Sequence, residues 1–194
     1  MRVAAIILAA GGSRRLGQPK QLLRWNGETL LNRAIRLAVE AGSEPVIAVL
    51  GAGFDAIRAS IELTSVIAVH NDRWRQGMGS SIEAGMRALE VCAPEATAVL
   101  LMACDQPQLT ADHLRGLMKA VGAHDSPTIA ASKYSGVLGV PAVFPRETFA
   151  DLRALRGDKG ARSLMERAPC AVVGVAFAGG DVDIDRPEDL SVLG

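Results

Sequence analysis

Short apolar runs alternate with helical stretches along this chain. That alternation, with its short connections, predicts an α/β protein whose mostly parallel sheet is covered by helices on both faces. Two further observations support this. The run from Val3 to Leu8 contains no polar residue, as expected of a strand buried on both sides. With 194 residues, 49% of them hydrophobic, the chain is long enough for a sizeable core and too apolar for disorder, so one domain spanning 1–194 is expected.

Each element has its own signal. Val3–Ala9 is the first strand. Glu28–Ala41 carries Leu30, Leu31, Ala34, Ile35, Ala38 and Val39 at helical spacing, and Gly42 ends that helix. Pro45–Leu50 reads as a strand, Gly53–Ser60 as a short helix and Val66–Val69 as a strand. Ser80–Glu90 sets Ile82, Met86 and Leu89 on one side of a helix. Ala98–Ala103 is a fourth strand. Thr110 caps a helix running to about Val121, with Asp112 favouring its first turn. The repetition then breaks: Thr128–Ser132 and Val140–Phe144 flank Lys133-Tyr134-Ser135-Gly136, which predicts a small β-hairpin extension. Arg146–Leu155 and Gly160–Arg167 look helical, Ala171–Val175 is a late strand, and Arg186–Leu193 is a final short helix with Pro187 at its start. The whole is a three-layer α/β/α, Rossmann-like plan.

Composition removes several function classes. Lys and Arg total 21 against 21 Asp and Glu, so nothing suggests non-specific nucleic-acid binding. No apolar run approaches membrane length, and Met1-Arg2-Val3 enters the strand without a cleavable signal pattern, so a cytoplasmic protein is expected. Cys92, Cys104 and Cys170 are scattered without metal-like spacing, and Cys104, after Val99–Ala103, reads as a small buried hydrophobe. His70, His113 and His124 likewise show no ligand spacing.

The informative segment is Leu8-Ala9-Ala10-Gly11-Gly12-Ser13-Arg14-Arg15-Leu16-Gly17-Gln18-Pro19-Lys20. Its glycines let the backbone turn tightly after the first strand and present N–H groups. With Arg14, Arg15 and Lys20 nearby, these groups suit a polyanion such as a nucleoside triphosphate. It is no Walker loop, because Gln18-Pro19 follow Gly17 where Lys-Ser/Thr is required. It is no dinucleotide fingerprint either, because Arg14 stands where the middle glycine belongs. In open α/β sheets ligands bind beyond the carboxyl ends of the strands. Asn71–Ser81 and Asp105-Gln106-Pro107 follow two further strands and so converge on the same rim. A carboxylate such as Asp105 directly after a buried run must be solvated, paired or metal-bound. Asp181, Asp183 and Asp185 alternate, and an extended backbone would point all three to one face. A plainer role for Asp185 is to N-cap the last helix. Ser80 or Ser81 is placed to cap the helix it enters.

Residues 8–20 match Leu-Ala-Ala-Gly-x-Ser-x-Arg-x-Gly-x-Pro-Lys throughout, and the chain thereby resembles the nucleotidyltransferase superfamily that includes the molybdenum cofactor cytidylyltransferases and guanylyltransferases. The resemblance continues through Asn71–Gly85, Asp105–Pro107, Tyr134–Pro141, Gly157–Arg162 and Asp183–Leu190. It implies that Leu8 to Ser13, Arg15 and Lys20 bind the triphosphate, and that Gly79, Ser80 and Ser81 contact the base or ribose. It implies acceptor contacts at Asn71, Trp74, Tyr134, Gly136, Gly139, Pro141, Lys159 and Arg162. It implies Mg²⁺ on Asp105 with Asp185 or Asp183, the balance favouring Asp185. Arg15, Lys20 and Asp105 would carry the chemistry, with Lys20 on the α-phosphate and Arg15 on the β- and γ-phosphates. The implied reaction moves CMP from CTP to the pterin phosphate of the molybdenum cofactor, with a molybdoenzyme or its chaperone as a further partner. A sugar- or polyol-phosphate acceptor is the alternative, and a non-catalytic cofactor carrier another. A dinucleotide-dependent dehydrogenase is disfavoured, because this chain fails the fingerprint spacing and Pro19-Lys20 has no place in that motif.

Overall fold

The computed structural model describes residues 1–193. In chain order it contains β1 (Val3–Ala9), β2 (Arg24–Trp25), β3 (Glu28–Thr29), α1 (Leu30–Glu40), β4 (Val46–Leu50), α2 (Phe54–Ala59) and β5 (Ile67–His70). There follow α3 (Met78–Cys92), β6 (Ala98–Ala103), α4 (Ala111–Gly122), β7 (Thr128–Tyr134), β8 (Val137–Pro145), α5 (Phe149–Arg153), α6 (Ala161–Met165) and β9 (Ala171–Ala176). Single 3₁₀ turns lie at Lys20–Leu22, Trp74–Gln76 and Arg146–Thr148, and a longer 3₁₀ segment at Pro187–Leu193.

The main sheet has seven strands in the order β5-β4-β1-β6-β8-β7-β9. β8 is antiparallel to both β6 and β7, whereas the β5–β4, β4–β1, β1–β6 and β7–β9 pairs are parallel. The expected hairpin forms and lies within this sheet as β7 and β8. Its two-residue turn, Ser135-Gly136, has positive φ at both positions (46° and 77°), the hand that matches strand twist. A separate two-stranded ribbon, β2–β3, turns through Asn26-Gly27.

Side chains alternate across β1, and the alternation builds two cores. Ala5 and Ile7, with Ala48, Leu50, Leu100 and Met102, pack on Leu31, Ile35 and Ala38 of α1 and Leu114 and Leu117 of α4. Ala4 and Ile6, with Ile47, Val49, Val99 and Leu101, pack on Ile82, Met86 and Leu89 of α3. Burial on both faces accounts for the unbroken apolar runs. α3 sits close to the sheet at Gly85, where a Cβ would lie 2.7 Å from Ile6 Cγ2. Thr29 caps α1 by accepting from Asn32 N, and Thr110 caps α4 by accepting from His113 N.

The expected serine cap of α3 does not form. The helix begins at Met78, two residues earlier than its periodicity suggests, and its cap residue is Gly77 with no side-chain cap. The serine hydroxyls are engaged elsewhere, as described below.

Candidate active site

The parallel strands deliver their following loops to one edge of the sheet. β1 leads into Ala10–Pro19, β5 into Asn71, β6 into Cys104-Asp105, and β8, running the other way, begins there. The loop after β1 is tied down locally. Ser13 takes φ 46°, its carbonyl accepts from Leu16 N and Gly17 N at 3.1 Å each, and its Oγ accepts from Lys20 N at 3.1 Å. Gln21, 1% exposed, donates from Nε2 to the carbonyls of Ala9 (2.7 Å) and Gly11 (2.9 Å). Gly12 lies flat against Trp74, leaving a Cβ only 3.0 Å from the indole. The backbone thus holds its shape through a buried amide and an aromatic face.

The centre of the site is an ion cluster. Lys20 Nζ donates to Asp105 Oδ2 at 2.5 Å and to Asp185 Oδ1 at 2.7 Å. Arg15 Nη2 lies 3.6 Å from the other oxygen of Asp185. Burial opposes the charge on Lys20, but the carboxylates of Asp105 and Asp185 outweigh it and hold the ammonium above the usual lysine range. The hydrogen bond from Lys20 holds Asp185 below the usual carboxylate value. Asp183, crowded by surrounding protein and by the charges of Asp105 and Asp185, is pushed up to about 6 although it keeps a face to solvent. The chain segments are joined as well as the side chains: Ile184 N donates to Asp105 O at 3.0 Å. Gln106 Nε2 donates to Val140 O (3.3 Å) and Gly180 O (3.2 Å).

Of the three alternating aspartates, Asp181 departs from the expected common face. A turn at Gly179 (φ 83°) breaks the extended run, and Asp181 accepts from Ser135 Oγ at 2.7 Å instead. Asp185 does not cap the last turn either: Asp189 Oδ2 accepts from the backbone N of Asp185 (2.9 Å) and Arg186 (2.8 Å), leaving the Asp185 carboxylate for Lys20.

Beside the cluster is a cleft of about 390 Å³ lined by Leu8, Ala10, Gly11, Lys20, Trp74, Ser81 and Asp105 among others. A larger open groove of about 580 Å³ between α3 and α5 has its Arg153 and Glu90 already paired at 2.9 Å, so the smaller cleft is the better chemical candidate. Several implied contacts lie outside it. Asn71 is 2% exposed, and its amide donates to Ser80 Oγ (2.9 Å) and Ser81 Oγ (3.0 Å), so it shapes the start of α3 from beneath. Ser80 Oγ donates to the carbonyls of Arg73 (3.0 Å) and Gly77 (2.8 Å). Gly79 packs on the Arg156 backbone, where a Cβ would come within 2.8 Å. Gly136 is in the β7–β8 turn, and Pro141 is buried with its carbonyl accepting from Ser132 Oγ at 2.6 Å. Tyr134 covers Gly139 and Gly180, and burial followed by the Asp183 charge raises its phenol. Lys159 and Arg162 border a separate open depression, and Arg162 pairs with Glu166 at 3.2 Å. Cys104 is the inert buried thiol expected, pushed up to about 12 by burial and the adjacent Asp105.

Sequence reasoning missed Gln21, Gln106, Arg75 and Asp158, whereas Arg14 was read as part of the basic loop. Arg14, Arg75 and Asp158 line the cleft, and the two glutamines brace its walls. For the glutamines the available signal was a polar residue directly beside each proposed charged group, Lys20-Gln21 and Asp105-Gln106.

Residues 5–172 match the MobA-like NTP transferase domain. The chain belongs to this family. It is 30% identical to the purine catabolism protein PucB of Bacillus subtilis, with 97% of this chain and 94% of that one covered. It is 33% identical to the nicotine blue oxidoreductase of Paenarthrobacter nicotinovorans, covering 88% of this chain and 84% of that one. The molybdenum cofactor cytidylyltransferase of Escherichia coli is 28% identical, with 58% and 56% covered. Among solved structures, Rv0371c of Mycobacterium tuberculosis in complex with manganese superposes with a TM-score of 0.79 at 31% identity, covering 100% of this chain and 97% of that one. This MobA-like chain therefore shares its nucleotidyltransferase fold across its full length.

Its donor set suits a hard divalent cation. Asp105 and Asp185 aim oxygens at one cationic point, now taken by the Lys20 ammonium. No group of three or more metal-type side chains converges among the described residues. Two carboxylates without a third match an ion that takes its remaining ligands from phosphate oxygens and water.

Proposed function

We propose that this protein is a Mg²⁺-dependent nucleotidyltransferase that moves CMP from CTP to the terminal phosphate of the molybdenum cofactor and releases pyrophosphate. The observation that carries this is Lys20, held between Asp105 and Asp185 beneath a glycine-rich loop at the carboxyl edge of the sheet. Family membership supports transfer chemistry, and the similarity to a molybdenum cofactor cytidylyltransferase supports the acceptor.

An ionised acceptor phosphate is already a nucleophile, so the reaction needs no protein base. The protein's task is alignment and charge neutralisation around an in-line displacement at the α-phosphorus. The N–H groups of the loop after β1 and Arg15 receive the β- and γ-phosphates, and Lys20 exchanges its carboxylates for the α-phosphate. Asp105 and Asp185 would then hold Mg²⁺, which supplies polarisation of the α-phosphoryl group and neutralises the leaving pyrophosphate. Among the described residues no helix is long and apolar enough to cross a membrane. A cytoplasmic enzyme passing its product to a molybdoenzyme or its chaperone fits this reading.

The test is pyrophosphate release with Mg²⁺, each of CTP, GTP, ATP and UTP, and the molybdenum cofactor as acceptor. Release with CTP and cofactor alone is the expected result. Release with another triphosphate changes the base and keeps the reaction class. Release only with a sugar or polyol phosphate replaces the acceptor. A second reading, redox chemistry on the same fold, is favoured by the similarity to nicotine blue oxidoreductase. Oxidation of a reduced nicotinamide dinucleotide coupled to two-electron reduction of an added quinonoid dye, without pyrophosphate release, would establish it and reject transfer.

A further inference from the structure

Gln21 follows Lys20 in one 3₁₀ turn, yet the two side chains serve different partners. Lys20 meets the carboxylates of Asp105 and Asp185, whereas Gln21, 1% exposed, meets the backbone of the glycine-rich loop. Gln21 Nε2 places both its hydrogens there, on the carbonyls of Ala9 at 2.7 Å and Gly11 at 2.9 Å. The amide cannot be reversed, because Oε1 would then face two carbonyl oxygens. In this orientation Oε1 is buried and has no donor among the described residues. A buried acceptor without a partner costs stability, so packing alone does not account for a glutamine here.

The two carbonyls it holds belong to trans peptides. In a trans peptide the C=O and the following N–H point in opposite directions. Holding Ala9 O and Gly11 O against Gln21 therefore turns the N–H groups of Ala10 and Gly12 away from it. Between them, Ala10 O accepts from Ala52 N at 3.1 Å, which fixes the Gly11 N–H as well. None of these three N–H groups has an acceptor among the described residues. Ala10 and Gly11 line the cleft beside Lys20 and Asp105. Donors of fixed direction and without partners, next to an ammonium, suit phosphate oxygens. The arrangement needs a lock, because a peptide between two glycines turns easily. Released from Gln21, the peptide between Gly11 and Gly12 is free to turn its carbonyl outward and set an oxygen against the phosphates.

We propose that Gln21 is the positioning residue of the triphosphate loop: its amide locks the carbonyls of Ala9 and Gly11 inward, so that the N–H groups of Ala10 and Gly12 receive phosphate oxygens. The proposal rests on the nucleotidyl-transfer reading and adds to it a residue that acts through the backbone and touches no phosphate itself.

The probe is inorganic triphosphate, which carries the phosphates without a base. It is titrated calorimetrically into the wild type and Gln21→Met, a variant of similar side-chain length without the donors, each well below its melting temperature. The variant should bind at least tenfold more weakly, and CTP should follow the same trend. Mn²⁺ binding without nucleotide, read by electron paramagnetic resonance of the free ion, should be unchanged, because Gln21 contacts neither Asp105 nor Asp185. A lower melting temperature with unchanged triphosphate affinity confines Gln21 to the fold and overturns the proposal. A matching loss of Mn²⁺ binding overturns it as well, by showing that the whole Lys20 turn has moved. If Gln21→Met does not fold, amide NMR of the wild type decides. Inorganic triphosphate should shift the amide protons of Ala10 and Gly12 downfield and leave that of Gly42, bonded to Val39 O, in place. Unmoved Ala10 and Gly12 amides, with binding seen by calorimetry, overturn the assignment and leave nucleotidyl transfer standing. A wild type that binds neither inorganic triphosphate nor CTP rejects the transfer reading itself.

Discussion

The proposed reaction gives Lys20 two competing tasks. It bridges Asp105 and Asp185 at 2.5 and 2.7 Å, and the proposed transfer requires it on the α-phosphate. An ammonium on these carboxylates repels a divalent cation placed beside it, so in the proposed reaction Lys20 opposes the metal until the triphosphate draws it away. Two opposite effects follow from removing it. Lys20→Ala should lower turnover on the order of a hundredfold or more, as loss of a preorganised charge donor does. The same variant, without nucleotide, should bind Mn²⁺ more tightly than the wild type, as read by electron paramagnetic resonance of the free ion. Weaker Mn²⁺ binding in the folded variant would show that Lys20 organises the carboxylates rather than occupying their cation position. Asp105→Ala should abolish turnover with the circular dichroism spectrum intact, because Asp105 contributes an ion pair at the rim and no core packing.

The beginning of α3 shows how a single element positions a site. Asn71 spans the gap between β5 and α3 with three hydrogen bonds, to Ser80 Oγ, Ser81 Oγ and Arg73 N. Each is buried or nearly so, and each contributes roughly 1 kcal/mol net. Asn71→Ala should therefore cost about 2–3 kcal/mol in chemical denaturation and weaken CTP binding through loss of Ser81 orientation. A loss of stability with unchanged affinity would confine Asn71 to the fold. This element also marks what the sequence could and could not reveal. Its apolar stripe, Ile82-Met86-Leu89, was legible because it packs on the sheet. Its first turn was not, because Gly157 and Asn71, distant in sequence, supply the partners that permit a start at Met78. Runs buried on both faces, such as β1 and β6, declared themselves by composition. The β2–β3 ribbon is too short to show a period and the sequence reading did not include it; its one local signal is the Asn26-Gly27 turn. In the site, Lys20 and Asp105 follow buried strands and could be read in order. Asp158 became visible only when the loop before α6 folded onto α3.

At the scale of the whole molecule, the site closes the chain on itself. Ile184, fully buried, packs with Leu16 beside the glycine-rich loop and Leu30 of α1, and brings Asp183 and Asp185 to Asp105. The arrangement concentrates negative charge that Lys20 only partly offsets, and Asp183 carries the strain. Its folded pKa is about 6, raised first by burial and then by Asp105 and Asp185, against about 3.9 in an unfolded chain. A raised carboxyl favours the folded state fully below the unfolded value and loses that contribution as pH rises through the folded one. The nucleotide-free protein should accordingly give up stability between about pH 4 and 6 at this site, by an amount that solvent on its open face reduces. Asp183→Asn stays neutral throughout, so its melting temperature relative to wild type should climb across that window in metal-free buffer. A difference independent of pH would show that Asp183 ionises freely. Added Mn²⁺ at pH 7 then distinguishes the two carboxylates. Asp185 is held charged and already grips a cation, whereas Asp183 is drawn towards neutrality. Asp185→Asn should lose most of the metal-induced rise in melting temperature and Asp183→Asn should keep most of it; the reverse outcome would make Asp183 the metal's second carboxylate.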